Sequence, residues 1–226
     1  MTNFSPKDDK KVTDSYIAER DTLQRTRVAI LLNTVNQNDT VLDLCCGIGE
    51  TARILTQYFG HSPKSIASFD CSAAAIAEAV RQVPDGDFTC IALNAENLTL
   101  DKARDVVIVQ AAIHWIKEDL EFLIAALKLA KKRLYLSTTR ESYASEDLAF
   151  KNVANGEKVE YFRRRYTSAS FLFLVQNAIV NSNIDFDVDY YEMQDPFGKT
   201  WMNVVINRHS AETSLVTKII NTNQSF

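Results

Sequence analysis

Asp43, Gly47 and Gly49 stand within seven residues of one another in VLDLCCGIGETARIL (41–55), where an apolar run ends in an acid and turns on glycines before becoming amphipathic. Glycine accepts left-handed backbone and lets the main chain approach a ligand where a Cβ would obstruct it. The turn is suited to close contact. Asp43 brings a carboxylate there, and Glu50 follows Gly49 at the mouth of the next helix, so the turn favours a positively charged group over a phosphate. A further acid, Asp70, lies 70 − 49 = 21 residues beyond the second glycine, a place from which a carboxylate can accept both hydroxyls of an adenosine ribose.

Other residues extend the list. The cluster NAENL (94–98) could read an adenine edge through Asn94, Glu96 or backbone groups. His114, one of three histidines, follows the run DVVIVQ (105–110) and could take a proton from an acceptor hydroxyl or amine. It could equally be a helix-start residue bonded to backbone, and Trp115 either packs or borders a pocket. In YFRRRY (161–166), Arg163, Arg164 and Tyr166 suggest a seat for an acidic small molecule, because arginine pairs carboxylates bidentately. The bland alternative is a solvated face.

Strands and helices must carry these groups. Residues 13–35 have helical spacing, and VLDL (41–44) reads as a strand buried on both faces. Helical spacing returns at Ile54, Leu55, Tyr58 and Phe59. The alternation continues through strands at 65–70, 87–93, 105–110 and 132–138, with Ser72 as a helix cap. That order predicts right-handed crossovers and a doubly wound, mostly parallel sheet. IDFDVDYY (184–191) alternates apolar residues with aspartate, so it and TWMNVVINR form an antiparallel hairpin at the sheet edge. The segment 139–168 is too long to be structureless and is expected to hold a helix or to cover a site.

Length and charge narrow the class. With 226 residues and 46% hydrophobic content, one domain spanning 1–226 is expected, with a helical cap at about 10–36 and a substrate-covering insert at about 139–168. The net charge of −4 argues against nucleic acid as partner. The polar N-terminus and the lack of a long apolar run point to a cytoplasmic protein with no membrane segment. Cys45, Cys46, Cys71 and Cys90 form no CxxC pair, which favours buried free thiols over a zinc site or disulfides; no metal is expected. The oligomeric state stays open.

GIGETA also fits the dinucleotide form G-x-G-x-x-A, so a nicotinamide-dependent oxidoreductase is an alternative, opposed by the carboxylates at the turn. VLDLCCGIGETARIL, SIASFDCSAAAIAEA, FTCIALNAENL and DVVIVQAAIHWI, in this order and spacing, resemble the class I S-adenosylmethionine-dependent methyltransferases over roughly residues 38–138. The resemblance implies a Rossmann-like α/β fold of about seven strands. It also implies that Asp43, Cys45, Gly47 and Gly49 line the methionine part of S-adenosylmethionine, and that Asp70, with Cys71 beside it, holds the ribose. Ala95 and Glu96 would sit by adenine, and Gln110 and Ala111 near the sulfonium. Cys45 departs from the family's usual first glycine. On the N-terminal helix, Tyr16 and Arg20 could close over the cofactor and Arg25 or Arg27 could meet its carboxylate, though solvated positions explain them as well.

The resulting expectation is methyl transfer to a small molecule, with an acidic acceptor as its narrower form, releasing S-adenosylhomocysteine. Two alternatives are attack at another carbon of the cofactor, in aminopropyl transfer or cyclisation with release of methylthioadenosine, and a non-catalytic cofactor-binding module.

Overall fold

The computed structural model describes residues 6–19, 31, 34–152, 158–195 and 198–209. Arg20, Arg25 and Arg27 lie outside the described residues, as do most of the expected cap beyond Glu19 and the C-terminal tail. Helix α1 (Pro6–Glu19) begins earlier than the periodicity implies. Pro6 opens it, and the fixed φ of proline suits a first helical position.

A seven-stranded sheet forms the centre. Its strands are β1 (Val41–Leu44), β2 (Ile66–Asp70), β3 (Asp87–Cys90), β4 (Arg104–Gln110), β5 (Ala130–Thr139), β8 (Phe186–Gln194) and β9 (Thr200–Arg208). Their order is β3-β2-β1-β4-β5-β9-β8. The first five are parallel, and β9 runs antiparallel between β5 and β8. Every residue of β1 and β2 is buried, the mark of strands covered on both faces.

Side-chain alternation splits the core into two layers. Leu42, Leu44, Val107 and Val109 face α4 (Asp119–Leu129) and α5 (Ser168–Ser182), joining Phe122, Leu123 and Phe171. Val41, Val106 and Ile108 face the other side, with Ile54 and Leu55 of α2 (Glu50–Phe59) and the buried Tyr135. Ser72 caps α3 (Ala73–Gln82) as the sequence implies, its hydroxyl accepting the Ala75 N–H at 2.9 Å.

Among the described residues, the segment after β5 contains no helix before α5. It folds into a separate antiparallel hairpin of β6 (Ser145–Asn152) and β7 (Lys158–Arg165), tied back by a bridge between Arg140 and Tyr166. Among the described residues, no helix is long and apolar enough to cross a membrane.

Candidate active site

The sheet order reverses between β1 and β4, and in open α/β sheets the crevice beyond the strand ends at such a point receives ligands. The glycine turn occupies it. The Cys46 N–H donates to the Phe69 carbonyl at 3.0 Å, fixing the turn to the end of β2. Asp70 completes the tie: one carboxylate oxygen accepts the Gly47 N–H at 2.8 Å and the other the Ser72 N–H at 2.9 Å. Burial pushes its carboxyl above the usual range while these N–H groups pull it down.

The two glycines do different work. Gly47 has φ +55°, and a Cβ built on it would meet nothing within 4 Å, so it faces the open crevice. Gly49 has φ +79°, and its Cβ would lie 2.8 Å from that of Ala79 and 3.2 Å from the Phe88 ring, so its closeness serves the packing of α3. Gly47→Ala is therefore expected to cost only about 1–2 kcal/mol of left-handed strain while filling the cradle. Gly49→Ala adds overpacking and is expected to lose about 2–5 kcal/mol. Denaturant unfolding of both variants checks this, and equal losses would refute the division of labour.

Cys45 (φ 62°) and Ala111 (φ 56°) are left-handed non-glycine residues at the ends of β1 and β4, on opposite sides of the crevice. The Cys45 angle explains why glycine is usual there. Such backbone is costly and concentrates at functional sites. Ala111 is held by its N–H, which lies 3.1 Å from both the Ser137 hydroxyl and the Ser137 carbonyl.

The electrostatics are acidic. Asp43 is 1% exposed directly behind the turn. Burial raises the Cys45 and Cys46 thiols well above their usual range, and the carboxylates of Asp70 and Asp43 raise them further. Burial and Asp70 push Cys71 up to about 12. These thiols are neutral at ordinary pH and unsuited to nucleophilic chemistry. Cys90, expected to be buried, is exposed because β3 is an edge strand. Glu50 also differs from its sequence reading. It is buried and pairs bidentately with Arg53 at 2.9 Å, so its charge is met within α2 and Asp43 and Asp70 supply the negative field.

Other candidates surround this centre. Asn94, Ala95 and Glu96 form an exposed turn after β3, where the Asn94 carboxamide oxygen accepts the Asn97 N–H. Asp9 of α1 accepts the Ala74 N–H at 3.1 Å, docking α1 on the start of α3 beside Asp70. Tyr16 lies on α1 with its side chain outside the described residues.

His114 follows Gln110 and Ala111 in the tight turn Ile113–Trp115, half-buried, with Nδ1 3.1 Å from the Thr138 hydroxyl. Burial lowers its pKa to about 3, aided by the positive charges of Arg163 and Lys199, so the imidazole is neutral. Trp115 stacks on Tyr161 of β7 with centroids 5.1 Å apart.

The arginine run divides. Arg163 pairs with Glu141 at the edge of water, whereas Arg164 and Tyr166 are both bound to the buried Asp119 at the start of α4. Arg164 also donates to the Lys117 carbonyl at 3.0 Å and pairs with Glu146. Sequence reasoning did not single out Asp119, Thr138, Glu141 or Lys199. The polar end of KRLYLSTT marks Thr138 as a strand-end residue, but nothing local marks the others.

Residues 41–133 match the family model described as "Methyltransferase domain". No curated protein sequence matches the chain. Among solved structures, an S-adenosylmethionine-dependent methyltransferase from Mesorhizobium loti is 16% identical, covering 80% of this chain and 95% of its own, with a TM-score of 0.57. Magnesium protoporphyrin IX methyltransferase from Synechocystis PCC 6803, with S-adenosylmethionine bound, is 16% identical over 92% of this chain and all of its own, at 0.59. The [4+2]-cyclase SpnF is 13% identical over 82% and 81%, also at 0.59. Residues 41–133 are thus similar to a methyltransferase domain, and the chain shares the fold of these solved structures.

Proposed function

We propose that the protein transfers the methyl group of S-adenosylmethionine to a small-molecule acceptor. The observation that carries this reading is the open left-handed turn at Gly47, hydrogen-bonded to Asp70 and backed by the buried Asp43. That arrangement fits a cationic nucleoside better than a diphosphate, which the two carboxylates would repel.

Bound S-adenosylmethionine supplies a methyl already activated by a sulfonium, leaving the protein chiefly to align a nucleophile and exclude water. Asp70 accepts the ribose hydroxyls. Asp43, with the backbone around Cys45, Gly47 and Gly49, receives the amino-acid end. Cys71, Asn94, Ala95 and Glu96 border the base and ribose, and Gln110 and Ala111 border the sulfonium. Trp115 and Tyr16 complete the proposed enclosure. His114, oriented by Thr138, is the proposed recipient of the proton released by the acceptor molecule. Its neutral ring offers a nitrogen, but burial and the charges of Arg163 and Lys199 make it a weak base until a bound anion offsets those charges. The four free thiols fit a reducing compartment such as the cytoplasm. A net charge of −4 suits a small acceptor better than a polyanion.

The fold alone does not fix the reaction, since a structural neighbour is a cyclase. Incubating the protein with S-adenosylmethionine and candidate acceptors, with products read by mass spectrometry, separates the readings. S-adenosylhomocysteine is expected, whereas methylthioadenosine would establish attack at another carbon. His114→Ala is expected to lower turnover about a hundredfold or more with cofactor affinity unchanged. Wild-type turnover in that variant would make His114 structural.

A further inference from the structure

Around the carboxyl end of β5, Glu141, Arg163 and Lys199 come from three elements, and the charges of Arg163 and Lys199 reach His114. Glu141 follows the strand and is anchored by its N–H, which donates to the Tyr166 carbonyl at 2.8 Å. Arg163 comes from β7, which packs on the 113–115 turn through Tyr161 and Trp115, and its guanidinium pairs with Glu141. Lys199 precedes β9, whose start is joined to the end of β5 by the Arg140 N–H bond to the Thr200 carbonyl at 2.9 Å. The Lys199 N–H donates to an Asp195 carboxylate oxygen at 2.9 Å, and its ammonium lies 5.7 Å from the Trp201 ring centroid.

The neighbouring arginines are otherwise engaged. Arg164 is locked to Asp119 and Glu146, and Arg165 lies over the Tyr143 ring at 5.4 Å. Arg163 differs because its partner stands at the water's edge, with the two side chains 21% and 26% exposed. A part-buried pair open to water on one side can exchange its carboxylate for one from solution. A carboxylate from solution can replace the Glu141 carboxylate on the same guanidinium fork without changing the charge balance.

We infer that Arg163 and Lys199 form the seat for a carboxylate on the acceptor, and that Glu141 occupies this seat until the acceptor displaces it. The acceptor class is thus a small carboxylic acid, held by its acid group while its nucleophilic end faces His114. This rests on the methyltransferase reading for the second ligand but predicts acid recognition separately.

The test uses the full chain loaded with S-adenosylhomocysteine and matched probes: acetate and acetamide, benzoate and benzamide, 3-phenylpropionate and its amide. Calorimetry is expected to show at least one acid binding about tenfold or more tighter than its amide, the worth of a hydrogen bond to a charged group. Arg163→Gln and Lys199→Gln should each reduce that preference, and Arg163→Lys should restore part of it. Glu141→Gln should tighten acid binding about threefold to fivefold, the strength of an exposed ion pair. Thermal melts confirm that each variant is folded. Equal binding of acids and amides, no binding of any acid at millimolar concentration, or unchanged or weaker acid binding by Glu141→Gln overturns the inference. Affinity for S-adenosylhomocysteine, measured in the same titrations, reports separately on the cofactor reading.

Discussion

Asp70→Ala lowers affinity for S-adenosylmethionine about tenfold to a hundredfold for each hydrogen bond lost, since bonds to a charged group contribute about 1.5–3 kcal/mol. Two effects combine. In the proposed complex the ribose would lose its carboxylate, and the Gly47 and Ser72 N–H groups lose the acceptors that position the turn. Asp70→Asn separates charge from geometry only in part, because its single carboxamide oxygen faces two N–H donors. It should therefore also weaken binding while leaving the fold intact. Calorimetry measures the affinities, and an unchanged value for Asp70→Ala would remove the basis of the cofactor assignment.

The largest loss of stability is expected at Asp119. Its carboxylate accepts the Tyr166 hydroxyl at 2.6 Å and pairs with Arg164, joining the β6–β7 hairpin to the start of α4. Burial raises the Tyr166 hydroxyl pKa, and Asp119 raises it further. Burial works against the Arg164 charge, but Asp119 outweighs it and holds the guanidinium above its ordinary value. Asp119→Ala leaves Arg164 only Glu146 and the Lys117 carbonyl, strips the Tyr166 hydroxyl of its acceptor, and should cost about 3–5 kcal/mol. In a chain of this length that is a fall of roughly 6–20 °C in melting temperature. Asp119→Asn keeps an acceptor for Tyr166 and should cost less. A melting temperature within a degree or two of wild type for Asp119→Ala would show that the clamp is not structural. Gly47 and Asp70, the proposed cofactor residues, lie outside this clamp, so cofactor affinity below the melting transition should be preserved.

The parallel half of the sheet was legible because strands covered on both faces write continuous apolar runs, as in VLDL and DVVIVQ. The final hairpin was legible for the opposite reason: the aspartates of IDFDVDYY mark its wet face. The β6–β7 hairpin escaped because its arginines imitate a solvated surface, and their partners Asp119 and Glu141 lie 45 and 22 residues away from Arg164 and Arg163 (164 − 119 = 45; 163 − 141 = 22). The glycine turn itself was legible, but only tertiary packing could tell that Gly49 approaches Ala79 and Phe88 while Gly47 has open space before it. The Glu50–Arg53 pair was within reach of sequence reasoning, since residues three apart on a helix are neighbours.

The position of β9 between β5 and β8 has a consequence for synthesis. A ribosome delivers β5 well before its partner, so the nascent chain carries a bare strand margin until residues 200–208 emerge. Such margins invite pairing with other chains. Among the described strands, the last to arrive follows directly on Lys199, so the strand that closes this margin also delivers one of the two cations of the proposed acid seat.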